Sequence, residues 1–292
     1  MSQTKHYNKH RVFVQEKKKI MKIKHSTTII FTLLLLAGTA VQARGDDHDR
    51  HRDRGYDTGT PMHYNYATAK KILRELYYRE SNGRYSDYNR TIYCNCPILY
   101  RGRHMAGADF EECGYEIYKN PSRAYRIEWE HIVPAYNLGS QRRCWQKGGR
   151  RNCSRNDPIF SVMEGDMHNL QPSIGEVNEA RSHYRYADAG LEPYQFGACD
   201  VVVDHKLRIM QPPESIRGII ARTYLYMYSK YNLAMSKKEA RMYEIWDKSY
   251  PPTGWECHRN REIEKIQGND NPFITRACSG RSRSPREHGR SH

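Results

Sequence analysis

The stretch "EWEHIVPA", residues 128–135, places two carboxylates and a histidine within four positions. Histidine titrates near neutral pH and can take a proton from water, and a neighbouring carboxylate can hold a cation or orient the ring. A regular strand over residues 127–133 would send Glu128, Glu130 and Ile132 to one face and His131 to the other. Glu130 and His131 then meet in one site only if the backbone twists or turns, and Pro134 is where such a break is expected.

Residues 141–155, "QRRCWQKGGRRNCSR", hold Arg142, Arg143, Lys147, Arg150, Arg151 and Arg155 and no acid. Cys144 and Cys153 are spaced to staple this stretch around Gly148-Gly149, giving a basic loop. A solvated face is the plain reading of a charge run, and dense arginine around glycines favours phosphate contact. Further on, "MEGDMHNLQPSIGEVNEARSHYRY" contains Ser173-Ile-Gly-Glu176, the pattern of a capping box that predicts a helix starting at Ser173. Asn178 lies on that helix, where asparagine is a poor helix former. It is read either as a surface residue or as an oxygen ligand aimed at the preceding β segment. A carboxylate and an amide oxygen suit a hard cation such as magnesium, which completes its shell with water and substrate phosphate. With a base and arginine nearby, the set suits metal-assisted phosphodiester hydrolysis. Glu128 and His168 are rivals for roles in the site. Arg181, three residues after Asn178, is expected to share its helical face and grip a neighbouring phosphate.

The elements that position these residues are partly legible. "YATAKKILRELYYRE", residues 66–80, places Ala69, Ile72, Leu73 and Leu76 at helical spacing. Residues 91–100, "TIYCNCPILY", predict a strand interrupted at Pro97. Residues 215–232 predict a core helix, and residues 236–250 a second one stopped by Pro251-Pro252.

Residues 21–43 run from Lys22 and Lys24 through an apolar stretch to Val41-Gln42-Ala43, the order of a secretory signal peptide cleaved after Ala43. The apolar run is too short to span a membrane comfortably. Residues 1–20 are a polar leader, or translation begins at Met21. Removing residues 1–43 takes away eight Lys/Arg and one acid, lowering the net charge from +15 to +8. A basic exported chain from a sequence with 23 tyrosines, all but Tyr7 beyond residue 43, calls for an acidic partner: nucleic acid, an anionic envelope polymer or a membrane surface. Residues 44–60 and 279–292 read as disordered polar tails around one domain, residues 61–278. Cys94, Cys96, Cys113, Cys144, Cys153, Cys199, Cys257 and Cys278 all follow the signal, and their even number in an exported chain implies disulfides. Zinc is the weaker reading, because no pair has the C-x-x-C spacing.

"EWEHIVPAYNLG", "CWQKGGRRNC", "MEGDMHNLQPSIGEVNEARSHYRY" and "QGNDNPFI" with Cys278 resemble the bacterial endonuclease I family of secreted or periplasmic non-specific nucleases, over residues 66–278. The resemblance implies an α+β, largely helical, disulfide-stapled domain containing a ββα-metal (His-Me) finger. It implies that His131 is the general base, that Glu130 and Asn178 hold one Mg2+, with Mn2+ or Ca2+ as substitutes, and that Arg150 contacts the phosphate. DNA, single- or double-stranded, and RNA would be substrates, cut to leave 5′-phosphate ends by a monomer. Arg142, Arg143, Lys147, Arg151 and Arg181 are the expected backbone contacts. The alternative is a basic, disulfide-stapled protein that binds nucleic acid or another anionic polymer without turnover.

Overall fold

The structure is a computed structural model that describes residues 63–83 and 86–281. The expected signal peptide and the polar segment 44–60 lie outside the described residues, as does the tail beyond Arg281. The expected amphipathic helix is α1 (Tyr66–Glu80), which buries Ala69, Leu73, Leu76 and Tyr77. Asn65 caps it, its Oδ1 accepting from the Thr68 amide at 2.9 Å.

The strand expected over residues 91–100 forms only after Pro97, as β1 (Ile98–Arg101), paired antiparallel with β2 (His104–Ala108). Ahead of it the chain turns: Asn95 adopts a left-handed φ of 53°, and the Thr91 hydroxyl accepts from the Cys96 amide at 3.0 Å. Disulfides Cys94–Cys199 and Cys96–Cys113 pull on alternate residues of this turn, so β propensity loses to covalent geometry.

The helical turns α2 (Phe110–Cys113) and α3 (Pro121–Ala124) lead into β3 (Ile127–His131). Four short helices follow: α4 (Ala135–Gly139), α5 (Arg143–Gln146), α6 (Gly149–Asn156) and α7 (Pro158–Gly165). The basic stretch is therefore two helices, α5 and α6, rather than a loop. They turn at Gly148 and Gly149, whose φ of 146° and 64° favour glycine, and Cys144–Cys153 staples them.

Strand β4 (Leu170–Ile174) then pairs antiparallel with β3, from Ile127 opposite Ile174 to His131 opposite Leu170, and runs directly into α8 (Gly175–Arg181). This is the strand, strand, helix order of a ββα unit. The capping box expected at Ser173 does not form. Ser173 is buried in β4 opposite Glu128, and the Glu176 carboxylate accepts instead from the Tyr115 hydroxyl (2.6 Å) and from the amides of Tyr118, Lys119 and Asn120. Strand pairing and burial outweigh a cap worth about 1 kcal/mol. Gly175 is required at this junction, since a Cβ there would lie 2.5 Å from the Arg123 carbonyl and 2.9 Å from Glu128 Oε1.

A small sheet of β5 (Arg185–Tyr186), β6 (Val202–Asp204) and β7 (Ile209–Gln211) precedes α9 (Glu214–Lys230), α10 (Lys237–Ser249), α11 (Gly254–Gln267) and α12 (Pro272–Arg281). Helices α9 and α10 match the two expected from the sequence, and α10 carries a true capping box, Ser236 with Glu239. Helix α12 continues three residues into the stretch expected to be a tail. The ββα unit is held from both sides. Trp129 and Leu170 pack with Leu73, Tyr77 and Trp255, while Ile132, Val133, Ile174 and Val177 join Phe160, Met163 and Tyr224.

All eight cysteines are paired, the remaining bridge being Cys257–Cys278 between α11 and α12. Cys94–Cys199, with a sequence separation of 105, closes the longest loop and by chain entropy contributes roughly 4–5 kcal/mol. Among the described residues, no helix is long and apolar enough to cross a membrane. The protein is a mixed α+β, mostly helical domain with small sheets and four disulfides.

Candidate active site

A cleft of about 720 Å³ opens between α1 and the ββα unit, bordered by Glu128, Glu130, His131, Arg150 and Asn178. The strand alternation holds: His131 turns toward Tyr66 and α7, and Glu130 toward Tyr93 and α8. Both still border one cleft, at the end of β3.

His131 is buried, 6% exposed, with its ring 4.7 Å from that of Tyr66. Its Nε2 lies 2.9 Å from the Glu164 carbonyl oxygen. A carbonyl only accepts, so Nε2 carries the proton and Nδ1 is left with its lone pair. Burial, reinforced by the charge of Arg150, pushes the histidine down to about 3, below the near-neutral value expected from the sequence, so the ring is neutral at physiological pH, with Nδ1 unprotonated but a weaker base than a free imidazole.

Glu164 also organises Arg150. Its Oε1 accepts from Arg150 Nε at 2.6 Å, its Oε2 accepts from the Ser154 hydroxyl at 2.7 Å, and the guanidinium lies 5.1 Å from the Tyr66 ring centre. One buried residue thus orients the base through its backbone and the arginine through its side chain. Arg150, 44% exposed, remains open to the cleft.

The Glu130 carboxylate is buried, and both its hydrogen bonds fall on Oε1: from the Tyr93 hydroxyl at 2.6 Å and from Arg181 Nη1 at 2.9 Å. Oε2 has no protein partner among the described residues. Burial raises the proton affinity of this carboxyl against the pull of Arg181 and Tyr93. A carboxylate desolvated in this way favours a bound cation, whose ligands must be deprotonated. Asn178, on the first turns of α8, donates from Nδ2 to Glu128 Oε2 at 2.9 Å, which leaves its amide oxygen without a protein partner among the described residues. Glu128, held in turn by Arg123, therefore orients Asn178. The free oxygens of Glu130 and Asn178 are a hard donor set that fits Mg2+, Mn2+ or Ca2+. Among the described residues no three His, Cys, Asp or Glu side chains gather to hold a metal, and a hydrated ion on two protein oxygens needs no such group.

Two expected phosphate contacts are differently employed. Arg181 is fully buried. It donates to Glu130 Oε1, to the His131 carbonyl at 2.8 Å and to the Ile132 carbonyl at 2.7 Å, and its guanidinium sits 4.6 Å from the Tyr186 ring centre. It shares the Asn178 helix as expected but faces inward and fixes the end of β3. Arg142 is held in a two-pronged pair by Asp157, at 2.6 and 3.0 Å, which ties α5 to the start of α7. Arg143, Lys147 and Arg151 are exposed on the α5–α6 hairpin, outside the cleft lining. His168, a rival for the site, is buried away from the cleft, with Nε2 3.0 Å from the Asn269 carbonyl.

Sequence reasoning missed Glu164, Tyr66 and Tyr93. The partners that place them in the site, Arg150 and His131 for Glu164, Glu130 for Tyr93 and His131 for Tyr66, lie 14 to 65 residues away, beyond the reach of any local pattern.

The endonuclease I family model matches residues 65–278. An extracellular deoxyribonuclease of Aeromonas hydrophila is 50% identical over 220 residues, covering 75% of this chain and 92% of that protein. A periplasmic deoxyribonuclease of the same species is 50% identical over 195 residues, or 66% of this chain and 81% of the relative. Endonuclease-1 of Buchnera aphidicola subsp. Acyrthosiphon pisum is 46% identical over 188 residues, 64% and 74% of the two chains. With a matched region that contains the whole cleft lining, this chain belongs to the endonuclease I family.

Proposed function

We propose that this protein is an exported, Mg2+-dependent, non-specific endonuclease that hydrolyses single- and double-stranded DNA and also RNA, leaving 5′-phosphate ends. The coarser part rests on kinship: it is a deoxyribonuclease of the endonuclease I type, a hydrolase of the periplasm or the extracellular medium, as its relatives' names state. The finer part rests chiefly on His131. Its Nε2–H is fixed on the Glu164 carbonyl, and its neutral Nδ1 lies in the same cleft as Glu130, Asn178 and Arg150.

In this reading His131 Nδ1 takes a proton from water as the water oxygen bonds to phosphorus. The bond from phosphorus to the 3′ oxygen breaks, the 3′ oxygen acquires a proton from solvent, and the phosphate stays on the 5′ side. Arg150 offsets charge on the phosphate while Glu164 holds its guanidinium in place. Glu130 and Asn178 would hold the divalent ion that the family generally uses, which when bound supplies Lewis-acid stabilisation of negative charge. Arg181 and Tyr93 keep Glu130 pointed at the cleft. Contacts to phosphate rather than to base edges would make cutting insensitive to sequence and sensitive to salt.

The test is digestion of plasmid DNA and of single-stranded RNA by the disulfide-bonded mature protein, with Mg2+ or with chelator, beside His131→Ala. Metal-dependent cutting of both polymers that the variant abolishes is the expected result. Binding without cutting by folded wild-type protein, with several metals tried, would replace the nuclease by the polyanion-binding alternative.

A further inference from the structure

Five Lys/Arg side chains border the cleft: Lys70, Arg74, Arg123, Arg150 and Arg181. Three have carboxylate partners: Arg123 with Glu128, Arg150 with Glu164 and Arg181 with Glu130. Lys70 and Arg74 have none among the described residues. Both project from α1, four residues apart and half-buried, on the stripe of the helix that faces the cleft. Like charges at this spacing weaken a helix. Burial and the charges of Arg150 and Arg74 depress the proton affinity of Lys70, with the Glu164 carboxylate, itself bonded to Arg150, acting more weakly in the opposite sense. The remaining cations on and near the helix behave differently. Arg79 pairs with Glu262 at 2.8 Å, Glu75 is taken by Arg103 at 3.1 Å, and Lys71 is exposed outside the cleft. A half-buried pair of like charges on the cleft wall, with no carboxylate in ion-pair contact among the described residues, is a site for an anion.

We propose that Lys70 and Arg74 form a phosphate rail that holds the nucleic-acid strand running from the Arg150 side of the cleft along α1. The proposal rests on the reading of the cleft as a nuclease site and adds a binding wall to it. Four residues of helix advance about 6 Å, against an axial rise of about 3.4 Å per nucleotide of one strand, so the pair spans roughly two nucleotides. The Lys70 ammonium, 4.3 Å from the centre of the Tyr66 ring that packs on His131, contacts a phosphate close to the scissile one, and Arg74 contacts one farther out.

The experiment measures binding of a fluorescent DNA duplex between about 50 and 200 mM salt, in a His131→Ala background so that binding is read without turnover. Each neutralised phosphate contributes a slope of about −0.9 in log K against log salt. Lys70→Ala and Arg74→Ala should each make the slope shallower by about 1, and the double variant by about 2. Lys71→Ala should leave it unchanged, and Lys70→Arg should keep it. Unchanged slopes in folded variants, or an equal change in Lys71→Ala, would overturn the rail. Should the alanine forms fail to fold, Lys70→Gln and Arg74→Gln are read by the same criterion. Wild-type protein is assayed beside them for plasmid cleavage. Cutting with unaltered variant slopes removes the rail alone, whereas altered slopes without cutting leave the rail as a binding surface and remove the nuclease.

Discussion

Replacing Arg181 by methionine separates two roles that its position on α8 allows. If Arg181 were a phosphate contact, the variant would bind DNA less tightly, with a slope against salt shallower by about 1, and would lose little stability. The structure instead makes it a buried strut between α8 and the end of β3, with three hydrogen bonds to Glu130, His131 and Ile132. Methionine fills much of the volume but leaves the Glu130 carboxylate without its charge partner and two carbonyls without a donor. Breaking one side of a buried pair costs about 3–5 kcal/mol. At roughly 2–4 °C per kcal/mol for a domain of this size, melting should fall by between about 6 and 20 °C. Thermal unfolding by circular dichroism, without divalent metal, reads this directly. The double variant Glu130→Gln, Arg181→Met should recover part of the loss, because no unpaired charge remains buried. Salt-dependent binding, measured as above, should keep its slope. A melting shift below about 2 °C together with a shallower slope would refute the strut and restore the phosphate contact.

Other outcomes follow from the same geometry. Glu164→Gln keeps the backbone carbonyl that orients His131 but weakens the hold on Arg150, so kcat/KM on DNA should drop roughly tenfold, as for loss of one charge-assisted hydrogen bond. Gly175→Ala forces a Cβ against the Arg123 carbonyl and Glu128; steady-state unfolding should show a loss of about 1–3 kcal/mol, and Mg2+ titration a weaker site because Glu128 orients Asn178. His168 is pushed by burial down to about 4 from an unfolded value near 6.5, so below pH 6.5 the unfolded chain binds the extra proton and acid favours unfolding. Its share, about 3 kcal/mol, should vanish progressively between pH 6.5 and 4 in urea titrations, and His168→Gln should reduce the slope there, leaving the share of His131, which burial pushes down to about 3. Reduction of the four disulfides should abolish activity and cooperative melting together, as expected of a chain that matures only after export; full activity of the reduced protein would contradict this.

Those parts of the protein whose causes lie within a few residues were legible in the amino-acid sequence. Apolar spacing marked α1 and α9, because one turn of helix relates positions three and four apart, and Pro251-Pro252 marked the end of α10. Residue chemistry marked Glu130, His131 and Asn178 as candidates beside Glu128 and His168, and the resemblance to the endonuclease I family singled out Arg150 among six basic residues. The rest depends on contacts between segments far apart in the chain. Ser173 has the signature of a cap yet pairs in β4, because a partner strand more than 40 residues earlier offers a full ladder. Residues 91–96 have strand-forming side chains yet turn, because two disulfides reach from them to Cys113 and Cys199. The pairing of eight cysteines, the inward turn of Arg181, the Asp157 clamp on Arg142 and the double use of Glu164 all join distant segments. Such choices are made by burial, which penalises every unpaired charge and donor and selects partners by distance in space rather than in sequence.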